Sequence, residues 1–106
     1  MRRALCALAV LALTTTAAHA VAPHPATVTI GNFMFGPMTM TVPKGGTVTW
    51  VNGDDVPHTV VATDLSFRSK PIDTDEKYQV TFAKPGVYSY FCSLHPRMVG
   101  KIIVTP

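Results

Sequence analysis

The stretch Lys77-Tyr78-Gln79-Val80-Thr81-Phe82-Ala83-Lys84-Pro85-Gly86-Val87-Tyr88-Ser89-Tyr90-Phe91-Cys92 decides the fold class. Tyr78, Val80 and Phe82 alternate with Lys77, Gln79 and Thr81. That is a period-2 stripe of aromatic and β-branched residues, which buries one face of a strand and solvates the other. Lys84-Pro85-Gly86 then supplies a turn, because proline fixes φ and glycine frees it. A second apolar run of strand length, residues 87–92, follows at once and ends on a cysteine.

Working outward, the same pattern recurs. Val28 and Ile30 alternate with Thr27 and Thr29; Met38, Met40 and Val42 with Thr39 and Thr41; Val48 and Trp50 with Thr47 and Thr49. Gly31-Asn32, Pro43-Lys44-Gly45-Gly46 and Asn52-Gly53-Asp54-Asp55 fall between these stripes as turns. Residues 99–104 form another apolar strand. Residues 63–76 are polar, carry Pro71, and read as a crossing loop with a short edge strand. No segment has convincing 3.6-residue periodicity. Seven or eight short strands at this spacing predict an all-β fold, an antiparallel Greek-key β-sandwich, with no internal repeat and no second domain.

The chain has 106 residues, enough for one domain. Its first 20 residues differ from the rest. Met1-Arg2-Arg3 is a basic start, residues 4–13 are an apolar run, and Ala18-His19-Ala20 is a small-x-small site. Together they read as a secretory signal peptide cleaved after Ala20, and the run is too short to span a bilayer. Residues 21–26, with Pro23 and Pro25, read as a flexible lead, and 27–106 as the domain. Removing residues 1–20 leaves 86 and lowers the net charge from +3 to +1, because Arg2 and Arg3 leave with them. No basic run survives, so nucleic acid is not an expected partner. Cys6 leaves as well. The exported chain then holds a single cysteine, Cys92, which cannot form an internal disulfide in an oxidising compartment and needs another explanation.

That explanation starts from Tyr90-Phe91-Cys92-Ser93-Leu94-His95-Pro96-Arg97-Met98. A thiolate, an imidazole and a thioether lie within seven residues, in Cys-x2-His-x2-Met spacing, on the loop joining the last two strands. Val56-Pro57-His58-Thr59-Val60 offers a further imidazole at the start of another strand. Two imidazoles and a thiolate, with a weak axial thioether, make the ligand set of a blue-copper electron-transfer centre. Structural zinc sites use several thiolates or more histidines and rarely methionine. The competing readings are an ordinary buried cysteine and a Cys92–His95 nucleophile–base pair. The first ignores the spacing, and the second lacks an orienting acid or oxyanion hole nearby.

The chain resembles the cupredoxins, and its Cys-x2-His-x2-Met loop is most similar to that of amicyanins. The resemblance extends through Gly31-Asn32-Phe33-Met34-Phe35-Gly36-Pro37, Gly46-Thr47-Val48-Thr49-Trp50-Val51-Asn52, Pro57-His58-Thr59-Val60 and Pro85-Gly86-Val87-Tyr88-Ser89-Tyr90-Phe91-Cys92. It implies that His58, Cys92, His95 and Met98 are the ligands of one copper ion. It also implies that the protein is a monomeric one-electron carrier of the periplasm and not an enzyme. Its partners would then be a redox donor such as a periplasmic dehydrogenase and an acceptor such as a c-type cytochrome, docking transiently near His95. Three departures from the family pattern stand out. Thr59 replaces the usual Asn; its hydroxyl is able to bond across to Ser93, but with shorter reach, so a weaker tie between the ligand loops is expected. Leu94 replaces Pro and restores an N–H, expected to donate toward the Cys92 sulfur. Arg97 places a charge beside His95.

The alternative is a copper chaperone or resistance protein, whose only specific support is Met34, Met38 and Met40. Met38 and Met40 share a strand face with Val42, so core packing is expected for them. A copper enzyme would need another histidine-rich centre, and only His24 remains. Asp54-Asp55 and Asp73-Thr74-Asp75-Glu76 read as solvated turns.

Overall fold

The computed structural model describes residues 26–106, so the expected signal peptide and most of the lead lie outside the described residues. Among the described residues there is no helix. The elements are β1 (Ala26–Gly31), β2 (Met34–Gly36), β3 (Thr39–Pro43), β4 (Thr47–Asn52), β5 (Val61–Ala62), β6 (Lys77–Thr81), β7 (Gly86–Phe91) and β8 (Val99–Thr105). Ala26, placed in the lead from sequence, is buried and opens β1.

The strands form two four-stranded sheets, ordered β2-β1-β4-β6 and β3-β8-β7-β5. The β-sandwich is as expected; strand direction is not. β1 pairs parallel with β4, and β3 pairs parallel with β8, so both sheets are mixed. The reason lies in the connections. From β2 to β7 every link moves the chain to the opposite sheet, and parallel neighbours need such crossovers. Here β3 serves as the crossover between β2 and β4, doing what a helix does in an α/β protein. Residues 63–76 cross from β5 to β6, as their polarity predicts, but the short edge strand expected within them is reduced to single bridges at Arg68 and Ile72.

The alternating stripes meet between the sheets. Val28, Ile30, Val48 and Trp50 point inward from the first sheet, and Val42, Tyr90, Ile102 and Val104 from the second, all essentially inaccessible to water. Trp50 packs edge-on to Tyr90 at a centroid separation of 5.3 Å. Tyr90 lies opposite Gly100 in the β7–β8 register, and a Cβ on Gly100 would sit 2.5 Å from the phenol ring, so glycine there makes room for the aromatic. Trp50 Nε1 and Tyr90 Oη are buried without a partner of proper hydrogen-bond geometry. Burial accordingly pushes the Tyr90 phenol up to about 12, the neighbouring Trp50 indole opposing it.

The methionine stripe departs from expectation. Met40 packs against the core, but Met38 and Met34 are more than half exposed. Met38 precedes the first paired residue of β3, so the alternation that aims Met40 and Val42 inward does not extend to it.

Candidate metal centre

Two loops at one end of the sandwich converge on Cys92. The first leaves β4 at Asn52, whose side chain is fully buried. Its Nδ2 donates to the carbonyls of Val56 (2.9 Å) and Ile72 (2.8 Å), and its Oδ1 accepts from the Asp54 N–H (2.9 Å). One amide thus shapes the turn that delivers His58. His58 then exchanges backbone hydrogen bonds with Ile72, 3.1 and 2.7 Å, which fixes it in the interior.

The second loop follows β7. The His95 N–H donates to the Cys92 carbonyl (3.3 Å) and the Met98 N–H to the His95 carbonyl (2.8 Å). These are successive three-residue turns, and the Cys92 N–H closes the loop by donating to the Met98 carbonyl (3.1 Å). A turn repeating every three residues is what Cys-x2-His-x2-Met needs to bring its side chains to one side. Cys92 and Met98 are buried and His95 is half-buried.

His58 Nδ1 lies 3.7 Å and His95 Nδ1 3.8 Å from Cys92 Sγ, and the donor atoms of these three residues are all within 4.8 Å of one another. The spacing fits a metal. Nitrogen and sulfur donors about 2.0 and 2.3 Å from a common centre, held 120° apart, are about 3.7 Å from each other. The tautomer fits too. His58 Nε2 is 2.8 Å from Asp54 Oδ2, and a carboxylate can only accept, so Nε2 carries the hydrogen and Nδ1 keeps its lone pair for a metal. The donors, one soft thiolate and two imidazoles with a buried thioether on the same loop, select copper over zinc or a hard cation.

Asp54 is therefore more than the solvated turn its sequence context predicts. Its oxygens also accept from the N–H groups of Asn32 (2.6 Å) and Phe33 (3.0 Å). The Phe33 N–H above all holds its carboxyl below the ordinary carboxylate range. Partial burial opposes this, while Asn32 and the His58 ring reinforce it. Sequence reasoning missed Phe33 altogether, although its ring lies against both imidazoles. The available signal for Asp54 was a carboxylate four residues before a candidate ligand histidine, since ligating histidines commonly donate their second N–H to a carboxylate.

Residues 4–104 match the family model of the cupredoxin-like domain. The chain belongs to that family. Among curated relatives, the cupredoxin is 41% identical over 70 residues to amicyanin of Paracoccus versutus, a match spanning 61% of this chain and 53% of the relative, about half its length. It is 33% identical to amicyanin-alpha of Methylorubrum extorquens, over 91% of this chain and 87% of the relative. Among solved structures, the novel purple cupredoxin from Nitrosopumilus maritimus superposes with a TM-score of 0.71 at 35% identity, covering 76% of this chain and 99% of that one. A Cu(I) form of an amicyanin variant superposes at 0.70 and 33% identity, over 74% and 80%.

Within this cupredoxin the three departures noted in the sequence can each be placed. The Thr59 hydroxyl does bond across to Ser93, and through two short contacts rather than a weak one. Its Oγ1 lies 2.7 Å from Ser93 Oγ and accepts the Ser93 N–H at 2.8 Å, tying the two loops together. The sulfur accepts from Thr59 rather than Leu94: from its N–H at 3.4 Å and its hydroxyl at 3.8 Å. The Leu94 side chain is instead half exposed and lines a cleft with Phe33, His95, Pro96, Arg97 and Met98. Arg97 is exposed there, as expected.

Proposed function

We propose that this cupredoxin is a periplasmic one-electron carrier, exported by cleavage after Ala20, that holds one copper ion through His58, Cys92, His95 and Met98. The observation that carries the reading is the pair of Nδ1–Sγ separations, 3.7 and 3.8 Å, with the His58 tautomer already set by Asp54. Copper, when bound, supplies the Cu(II)/Cu(I) couple.

The chain's own residues serve that couple in separable ways. Asn52, Asp54 and the Ile72 backbone hold His58 from behind. The Thr59–Ser93 link prevents the two ligand loops from moving apart. The Thr59 N–H points at the sulfur, where it stabilises accumulated negative charge. A donor set fixed this way keeps one geometry in both oxidation states, which lowers the reorganisation accompanying each transfer.

His95 is the electron port. It is the half-buried ligand, and Phe33, Leu94 and Pro96 give its surroundings an apolar character. A small apolar face suits brief encounters with a redox donor and acceptor, in this reading a periplasmic dehydrogenase and a c-type cytochrome. Arg97 on the same face favours partners that present a carboxylate there. The chain does no bond-making chemistry and works as a monomer.

The test is redox cycling of the copper-loaded protein. The reading expects repeated, reversible one-electron bleaching and recovery of the visible band with the metal retained. Release of copper on each reduction would contradict it.

A second reading, copper storage or delivery, is favoured by one observation. Met34 and Met38 are exposed and line a cleft with Met98. Thioethers prefer Cu(I). Two tightly held Cu(I) per chain would support this reading, and one would support the carrier.

A further inference from the structure

The tip of the β1–β2 hairpin is built against its own preference. Gly31 pairs with Met34, so Asn32 and Phe33 form a two-residue turn, and both have positive φ, 51° and 58°. Such turns call for left-handed backbone at both positions. Asn32 tolerates this readily, but the second position is normally glycine, and a phenylalanine there is a genuine outlier. Strain of this kind persists only where the surroundings over-determine it, and it gathers at functional sites.

Asp54 over-determines it. One carboxylate oxygen accepts the Asn32 N–H at 2.6 Å and the other the Phe33 N–H at 3.0 Å. Asp54 is itself fixed, its N–H on Asn52 Oδ1 at 2.9 Å and its carbonyl accepting the Thr74 hydroxyl at 2.6 Å. The same Oδ2 holds the His58 ring at 2.8 Å. One carboxylate therefore sets the orientation of an imidazole donor and the backbone of the strained turn together.

The turn delivers the Phe33 ring to the donor cluster. It lies edge-to-face against His95, centroids 5.0 Å apart at 73°, and against His58, 5.6 Å at 82°. The ring is nonetheless 49% exposed, so core packing does not account for its place. His58 is pinned by its backbone and by Asp54. The hydrogen bonds of His95, by contrast, come from its own short loop.

We propose that Phe33 is a positioning residue for the metal centre: the Asp54-clamped turn presses its ring against both imidazoles and holds His95 in ligating position. The inference rests on the copper reading for its purpose, but the contact it describes belongs to the protein without metal. The strained backbone is what a phenylalanine at this position entails, and glycine would relieve it while abolishing the wedge.

The experiment separates these effects. Phe33→Gly, and Phe33→Asn as a second variant tolerant of left-handed backbone, are compared with wild type in three measurements. These are apo-protein thermal unfolding, order of the His95 imidazole in the apo protein by NMR relaxation, and the rate at which a chelator strips copper from the loaded protein. The proposal expects an apo melting midpoint that does not fall, a more mobile His95 ring, and copper loss faster by about tenfold or more. A His95 ring as ordered as in wild type, or copper loss at the wild-type rate, would overturn it. Faster copper loss matched by a lowered apo midpoint in both variants would also overturn it, because Phe33 would then be a general packing residue. If the wild-type protein takes up no copper with a Cys92-dependent absorption, the carrier reading fails separately, and the order of the apo His95 ring alone decides the role of Phe33.

Discussion

Thr59 Oγ1 touches more of the site than any other non-ligand atom, reaching Ser93 Oγ, the Ser93 N–H and the Cys92 sulfur. Removing it leaves the Ser93 N–H, part-buried on the Cys92 loop, without its protein partner. Thr59→Val, which keeps shape and burial, is expected to destabilise the protein by about 0.5–1.5 kcal/mol, while Thr59→Ser retains most of the stability. Denaturant titration of the apo proteins checks both. The sequence made Thr59 conspicuous and named Ser93 as its partner, but not how short the link is, because that depends on how closely two loops separated by 33 residues approach. Asp54 escaped for a related reason. Its partners Asn32 and Phe33 lie 22 and 21 residues away, across a parallel β1–β4 pairing that local alternation cannot reveal. His58, Cys92 and His95 were legible because ligand chemistry is written in residue type and spacing, and the loop turns act over three residues only.

At the scale of elements, β7 and β8 form the spine of the second sheet and carry Cys92 and Met98 at their facing ends. Their register is recorded in the Tyr90–Gly100 pair. Gly100→Ala forces a Cβ to within 2.5 Å of the Tyr90 ring, so the buried phenol must shift. Overpacking of this kind is expected to lower stability by about 1–3 kcal/mol. Because the strands end at the metal centre, a loosened register should also broaden the EPR signal of the copper-loaded form. A denaturation midpoint equal to wild type would show that the ring moves aside freely. Strand positions were legible in the alternation, and the turns in their glycines and prolines. Strand direction was not, since a stripe reads the same either way and the switch between sheets is a property of connections. Met38 shows the limit of a stripe: it continues the alternation on paper beyond the residues that pair.

At the scale of the whole molecule, the described residues form a small sandwich with the Tyr90 phenol buried between its sheets and Tyr78 partly buried. Tyr90 titrates at about 12 when folded against an ordinary 10, and burial raises Tyr78 as well. A raised tyrosine contributes stability that is fully present below its unfolded value and is lost as pH climbs through the folded one. The Tyr90 shift corresponds to about 2–3 kcal/mol. Stability is therefore expected to hold up to about pH 10 and fall progressively toward pH 12. In Tyr90→Phe that part of the alkaline loss should be smaller. Urea midpoints across this range measure it, and identical slopes in the two proteins would count against burial as the cause.

At the same scale stands the central claim, that this cupredoxin holds one copper through a thiolate and two imidazoles. Cu(II) titrated into the protein lacking residues 1–20, followed by visible absorption and EPR, tests it most directly. The account predicts an intense charge-transfer band that saturates at one equivalent and vanishes in Cys92→Ala. A band that is absent in the wild type, or that survives in Cys92→Ala, would contradict it.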